Sequence, residues 1–149
     1  MNHAAAFLFL LQIASTFFMI GLIWFVQIVH YPLFSRTGRA EFGAYEKAHT
    51  TLTTCVVAPI MLVELTTAIV MFWLRPTGVS TLQCTAGLAL VGVIWISTAL
   101  LQVPCHRSLA SGFDAKTHER LVLSNWLRTI AWSVRGVLLV AMACGVLGI

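Results

Sequence analysis

Glu46 and His49 stand three residues apart, the spacing that puts a carboxylate and an imidazole on one helical face where both can reach one cation. His30 closes the first long apolar stretch of the chain and His106 closes the third. A chain that crosses a bilayer between these points and returns brings all four residues to one depth on one side. Three imidazoles and a carboxylate make a donor set suited to iron, copper or zinc. A dinuclear carboxylate centre would need a second Glu-x-x-His and further acids, which the sequence lacks, so a mononuclear ion is expected. Facing histidines at one depth also fit haem b as the alternative cofactor, although no attachment motif accompanies them. Gln102, Asn125 and Arg128 fall at the same end and are the candidates for catalytic work on a lipophilic substrate, and together with Gln27, Tyr31 and Tyr45 they could orient the ligands or hold an anionic or quinone-like molecule. His3, at a terminus, and His118, in a polar segment, read as solvated instead.

The elements that position these residues are membrane helices. Of 149 residues 59% are hydrophobic and 9% charged, and mean hydropathy is +0.91, a composition that excludes a soluble domain. Four apolar stretches, Ala4 to Leu33, Tyr45 to Leu74, Thr81 to Val103 and Trp126 to Ile149, each reach the ~20 residues a spanning helix needs. They lack the ten-residue alternation of barrel strands. The expected fold is all-α: one transmembrane domain over 1–149, a four-helix bundle with helices at 4–33, 38–74, 80–109 and 114–148. The last begins with a short interfacial segment for which Asp114 is the N-cap. The first stretch has no basic leader and no small-x-small cleavage pattern, so it reads as a retained helix.

Net charge is +4, but the basic residues are spread among helix ends, which is not a nucleic-acid footprint. They report orientation. Arg36, Arg39, Lys47, Arg107, Lys116, Arg120 and Arg128 lie in or beside the first and third connections, against Arg75 alone in the second. The positive-inside rule then makes those two connections and the histidine cluster cytoplasmic, with both termini outside, in an inner (plasma) membrane. Cys55, Cys84, Cys105 and Cys144 contain no C-x-x-C pair and read as small packing residues.

Polar residues recur on one face of each helix. At about 100° per residue, Glu46, His49, Thr53, Ile60, Glu64 and Thr67 share an arc of roughly 60°. Gln12, Thr16, Gln27 and His30 do so on the first helix, Trp95, Gln102 and His106 on the third, and Asn125, Arg128, Trp132 and Arg135 on the fourth. Glu64 and Arg135 lie deep in apolar spans, where a lone charge is costly, and they are expected to form a buried pair. Pro59 is expected to kink the second helix. Gly21, Gly87, Gly92 and Gly136 are candidates for close helix approach.

The stretch Val103-Pro104-Cys105-His106-Arg107-Ser108-Leu109, followed by Asn125-Trp126-Leu127-Arg128-Thr129, resembles elements of the small four-helix membrane family that includes anthrone oxygenases. Those elements are Pro-x-polar-x-x-Leu and a later Trp/His-x-x-Arg-Thr. The family's Pro-x-Asn stands here as Pro104-Cys105-His106. Gln27 to Phe34 is similar to a signature of uncharacterised bacterial four-helix membrane proteins. The first resemblance implies oxidation of an aromatic lipophilic substrate that enters from the membrane, with His106, Asn125 and Arg128 at matching positions.

The functional expectation is therefore a metal-dependent oxidoreductase or oxygenase acting on an aromatic or quinone-like molecule in the bilayer. The alternatives are a haem-binding membrane protein, and a non-enzymatic small-solute or proton-coupled transporter or ligand-binding module. Transport by so small a bundle would require a homo-oligomer, and no inverted repeat is visible.

Overall fold

The computed structural model describes residues 3–149. Four helices carry the architecture: α1, His3–Arg36; α2, Phe42–Val70; α3, Thr81–Leu109; and α4, Ala115–Leu147. Each is long and apolar enough to cross a membrane, and no strand occurs among the described residues. The protein is an all-α four-helix bundle of membrane-spanning character. α1 packs on α2 and α4, and α3 packs on α4; α2 and α3, despite their short connection, touch least of these neighbouring pairs.

Burial is inverted relative to a soluble protein. Trp73, Leu82, Val137, Leu52, Phe7 and Leu10 are exposed, whereas Glu46, Thr16, Asn125 and Thr129 are fully buried. In water such a surface would be unstable, but hydrocarbon solvates it and leaves polar groups to find partners in the interior.

Helix ends follow local chemistry. Ser80 and Gln83 close a reciprocal capping box at the start of α3. The Asp114 carboxylate accepts the Thr117 N–H at 2.7 Å, and hydrogen bonding from the Thr117 side chain, then from this N–H, holds the Asp114 pKa below its usual value. The polar segment before the fourth span is continuous with it, in one helix from Ala115 to Leu147. α2 starts at Phe42 rather than 38, because Thr37 is extended and residues 38–41 form a turn. It ends at Val70, with turns through Leu74.

Gly78, at φ +96°, lets the second connection lie against the end of α4: a Cβ there would come within 2.4 Å of the Gly145 carbonyl oxygen. Gly87 and Gly136 are close-approach positions, against Arg135 and Ile20 respectively. Gly21 and Gly92 are not, since a Cβ at either would meet nothing within 4 Å.

Two π-helical turns shape the interior. Val26–His30 interrupts α1 and Thr98–Gln102 interrupts α3, and each is followed by one residue and then proline, Pro32 and Pro104. A proline ring clashes with the carbonyl four residues earlier, here Ile28 and Leu100, and both carbonyls lie inside the widened turns. The extra residue redirects the side chains that follow. α2 carries Pro59 within an unbroken helix, so the widened turns belong to α1 and α3.

Candidate functional site

The widened turn of α1 presents Gln27, His30 and Tyr31, and that of α3 presents Gln102 and then His106. They meet the first turns of α2, which supply Glu46 and His49, and the middle of α4, which supplies Asn125 and Arg128. Ligand atoms of Glu46, His49 and His106 lie within 4.8 Å of one another. Metal bonds of ~2.05 Å in a tetrahedron place donors about 3.3 Å apart, so a small inward adjustment of side chains would close this group around an ion.

Glu46 is fully buried. Its Oε1 makes a very short contact with His106 Nδ1, while Oε2 has no hydrogen-bond partner among the described residues. A buried carboxylate oxygen with nothing to accept is costly, and a cation would satisfy it. His30 lies one step outside the group: its Nε2 is 3.0 Å from His49 Nδ1, which also lies 3.1 Å from the Thr53 hydroxyl. The sequence-derived set of four donors is thus three convergent groups with His30 bonded to one of them.

A chain of hydrogen bonds leads away from the donors. His106 Nε2 is 2.9 Å from the Tyr31 hydroxyl, which accepts from Arg128 Nη2 at 3.4 Å. Arg128 donates through Nε and Nη2 to Asn125 Oδ1, and through Nη1 to the Thr98 hydroxyl. Asn125 Nδ2 donates to Gln27 Oε1 at 2.8 Å, and Gln27 donates to the Val122 carbonyl. This chain fixes Arg128 and the His106 ring, the orienting role that groups around metal ligands usually play. Asn125 itself is fully buried and holds Arg128 in place; it is not among the residues facing the cavity described next. Gln102 does face it, accepting from Ser97 and donating to Ser124.

A cavity of about 430 Å³ lies against these groups. His49, His106, Tyr31, Gln102 and Arg128 line one part, and Met19, Ile23, Val57, Met61 and Trp132 line an apolar remainder. Its volume falls within the range of small-molecule pockets. Thr54 of α2 and Val103 and Arg107 of α3 line it and are themselves exposed, so it reaches the outer surface where α2 and α3 pack least closely.

Deeper in the bundle a second polar cluster is closed on itself. Arg135 Nε donates to Glu64 Oε1 at 2.9 Å, Thr16 donates to the same oxygen at 2.6 Å, and Trp132 Nε1 donates to Oε2 at 3.0 Å. Arg135 Nη1 reaches the Gly87 carbonyl, and Gln12 bridges Thr16 and Thr67. Each Glu64 oxygen has a donor.

Two features escape a reading by residue type. Phe34 is fully buried and sets its ring edge-on to His30 and His49, each at 5.1 Å, so it packs the imidazoles in place. His118, expected to be solvated, donates from Nε2 to the Tyr31 carbonyl at 2.8 Å and stacks on Phe34, because α4 starts early enough to lay it across the site. Tyr31, a candidate from its depth beside the histidines, joins the imidazole group to the guanidinium. Cys84 and Cys105 are buried packing residues, while Cys55 is exposed.

No family model matches the chain, and no curated protein or solved structure matches it.

Proposed function

We propose that the protein is a membrane-embedded, metal-dependent oxidoreductase or oxygenase acting on a lipophilic, aromatic or quinone-like molecule. The observation that carries this reading is the convergence of Glu46, His49 and His106 beside a largely apolar cavity, with one Glu46 oxygen left unsatisfied. Glu46, His49 and His106 would hold the ion, and His30, bonded to His49, would orient that ring. Iron or copper bound there would supply one-electron chemistry, whereas zinc would supply only Lewis acidity.

The chain's own residues set the conditions. The Tyr31 hydroxyl against His106 Nε2 fixes the imidazole and offers a route for a proton between the donor group and the cavity wall. Arg128 and Gln102 present polar groups to a bound molecule, and the apolar wall excludes water around it. Entry between α2 and α3 would admit a substrate dissolved in the bilayer. The resemblance to anthrone oxygenases supports the same reaction class through His106, Asn125 and Arg128.

A bare ion is favoured over haem b by the His30–His49 contact. Haem iron held between these two rings would set their nitrogens on opposite faces, about 4 Å apart, and here they are 3.0 Å apart and bonded to each other. A structural role suits Glu64 and Arg135 better than a transport path, since their groups are bonded mutually. The excess of basic residues near the first and third connections supports a cytoplasmic site with both termini outside.

The test is oxygen uptake by protein in neutral-lipid nanodiscs, with decyl-hydroquinone as the lipophilic reductant. Protein loaded with iron or copper should consume oxygen, and the chelated protein and His106→Ala should not. Equal rates in all three would refute the assignment.

A further inference from the structure

Arg128 is buried, yet no carboxylate pairs with it among the described residues. Four hydrogen bonds engage it, from Nε and Nη2 to the Asn125 amide oxygen, from Nη1 to the Thr98 hydroxyl and from Nη2 to the Tyr31 hydroxyl, all neutral acceptors. The contrast within the same helix is direct: Arg135, two turns further along, has Glu64 against it. A guanidinium stays charged at any physiological pH, so burial without a counter-charge is costly unless a ligand brings one. Glu46 does not fill that place, because His106 and Tyr31 stand between it and Arg128. Arg128 also faces the cavity, whose wall beyond it, at Trp132, Met61 and Met19, is apolar.

We infer that the cavity takes a lipophilic acid, an apolar body carrying one anionic oxygen group, with Arg128 as its counter-ion. The inference rests on reading the cavity as the ligand site, and it does not require the metal. The anionic group sits against the guanidinium, where the bonds to Asn125 and Thr98 already hold the fork in position, so little ordering is lost on binding. The apolar body fills the wall toward Trp132 and Met61. A metal at Glu46, His49 and His106 would neutralise the one nearby acid and leave the site more positive, which would strengthen the same preference.

Two sources of such an anion differ in reach: an acid dissolved in the bilayer carries a chain, and a small organic anion arrives from water. The experiment is a scintillation proximity assay on chelator-treated full-length protein in neutral-lipid nanodiscs. Tritiated dodecanoate is the probe, competed by unlabelled dodecanoate, dodecanol and butyrate. On the wild type, dodecanoate should compete at least about tenfold better than dodecanol, the ratio expected for a charge-assisted hydrogen bond. Butyrate should compete weakly. Arg128→Lys should keep the preference for the acid, and Arg128→Gln should abolish it. Equal competition by dodecanol and dodecanoate on the wild type would overturn the inference whether or not either variant folds. Butyrate matching dodecanoate would overturn its lipophilic half. Because the assay is run without metal, a failed metal assignment leaves its outcome unaffected.

Discussion

Glu64 and Arg135 give the bundle a stability prediction that can be worked from contacts. Glu64→Gln keeps the shape of the side chain but removes the charge opposite Arg135 Nε, and it gives the amide a nitrogen that cannot accept from Trp132 or Arg135. Arg135→Met leaves the Glu64 carboxylate buried with only the Thr16 and Trp132 donors. Breaking a buried pair from one side costs about 3–5 kcal/mol in soluble proteins, and water reaching the site through the bilayer would reduce this. Removing both partners strands neither charge, so the double variant should lose less than the sum of the singles, with a coupling of roughly 1–3 kcal/mol. For a chain of this size a single variant should then melt on the order of 10 °C lower. Thermal unfolding of the four proteins in one detergent measures the cycle. Additive losses, with coupling near zero, would refute the pairing argument and assign the two residues independent roles.

Other consequences follow from the connections and helix ends. Cysteine-accessibility labelling should find Ser35→Cys reactive from the cytoplasm and Thr77→Cys from outside; the reverse pattern would overturn the orientation. Gly78→Ala puts a Cβ against the Gly145 carbonyl at a left-handed φ and should cost about 1–3 kcal/mol, read as a lower melting temperature. Gly21→Ala, in open space within α1, should be neutral or slightly stabilising in the same melts, by up to ~1 kcal/mol. The Asp114 cap has a depressed pKa in the folded protein, so its contribution is present above the normal aspartate range and is lost as pH falls through the folded value. Protection from hydrogen exchange at the first turn of α4, taken relative to the intrinsic rate at each pH, should fall on acidification in the wild type and show no such fall in Asp114→Ala.

Much of the fold could be read from the chain because lipid imposes simple rules: long apolar runs must be helices, and polar residues must turn inward. The inward faces of α2 and α4 followed from a constant angle per residue, which suits unbroken helices carrying Glu46 and Glu64, or Asn125, Arg128 and Arg135. α1 and α3 departed from that angle because a π turn adds a residue, and Pro32 and Pro104 were its only signals. That departure is what carries Tyr31 against His106 and Arg128, a link no periodicity would reveal. The long polar start of α4 hid His118 in the same way: its neighbours Lys116, Glu119 and Arg120 are exposed, while its own ring turns back onto Tyr31 and Phe34. Residue types pointed to four donors at one depth, but depth alone could not separate His30, which bonds a ligand candidate, from the three groups that converge.

The central claim is that Glu46, His49 and His106 hold a redox-active ion. Metal analysis of protein purified in native detergent without chelator, with Glu46→Ala, His49→Ala and His106→Ala prepared in parallel, tests it most directly. The account predicts iron or copper approaching one equivalent in the wild type and a large loss in all three folded variants. Substoichiometric metal in wild type and variants alike would contradict the site, and stoichiometric zinc would contradict its redox role.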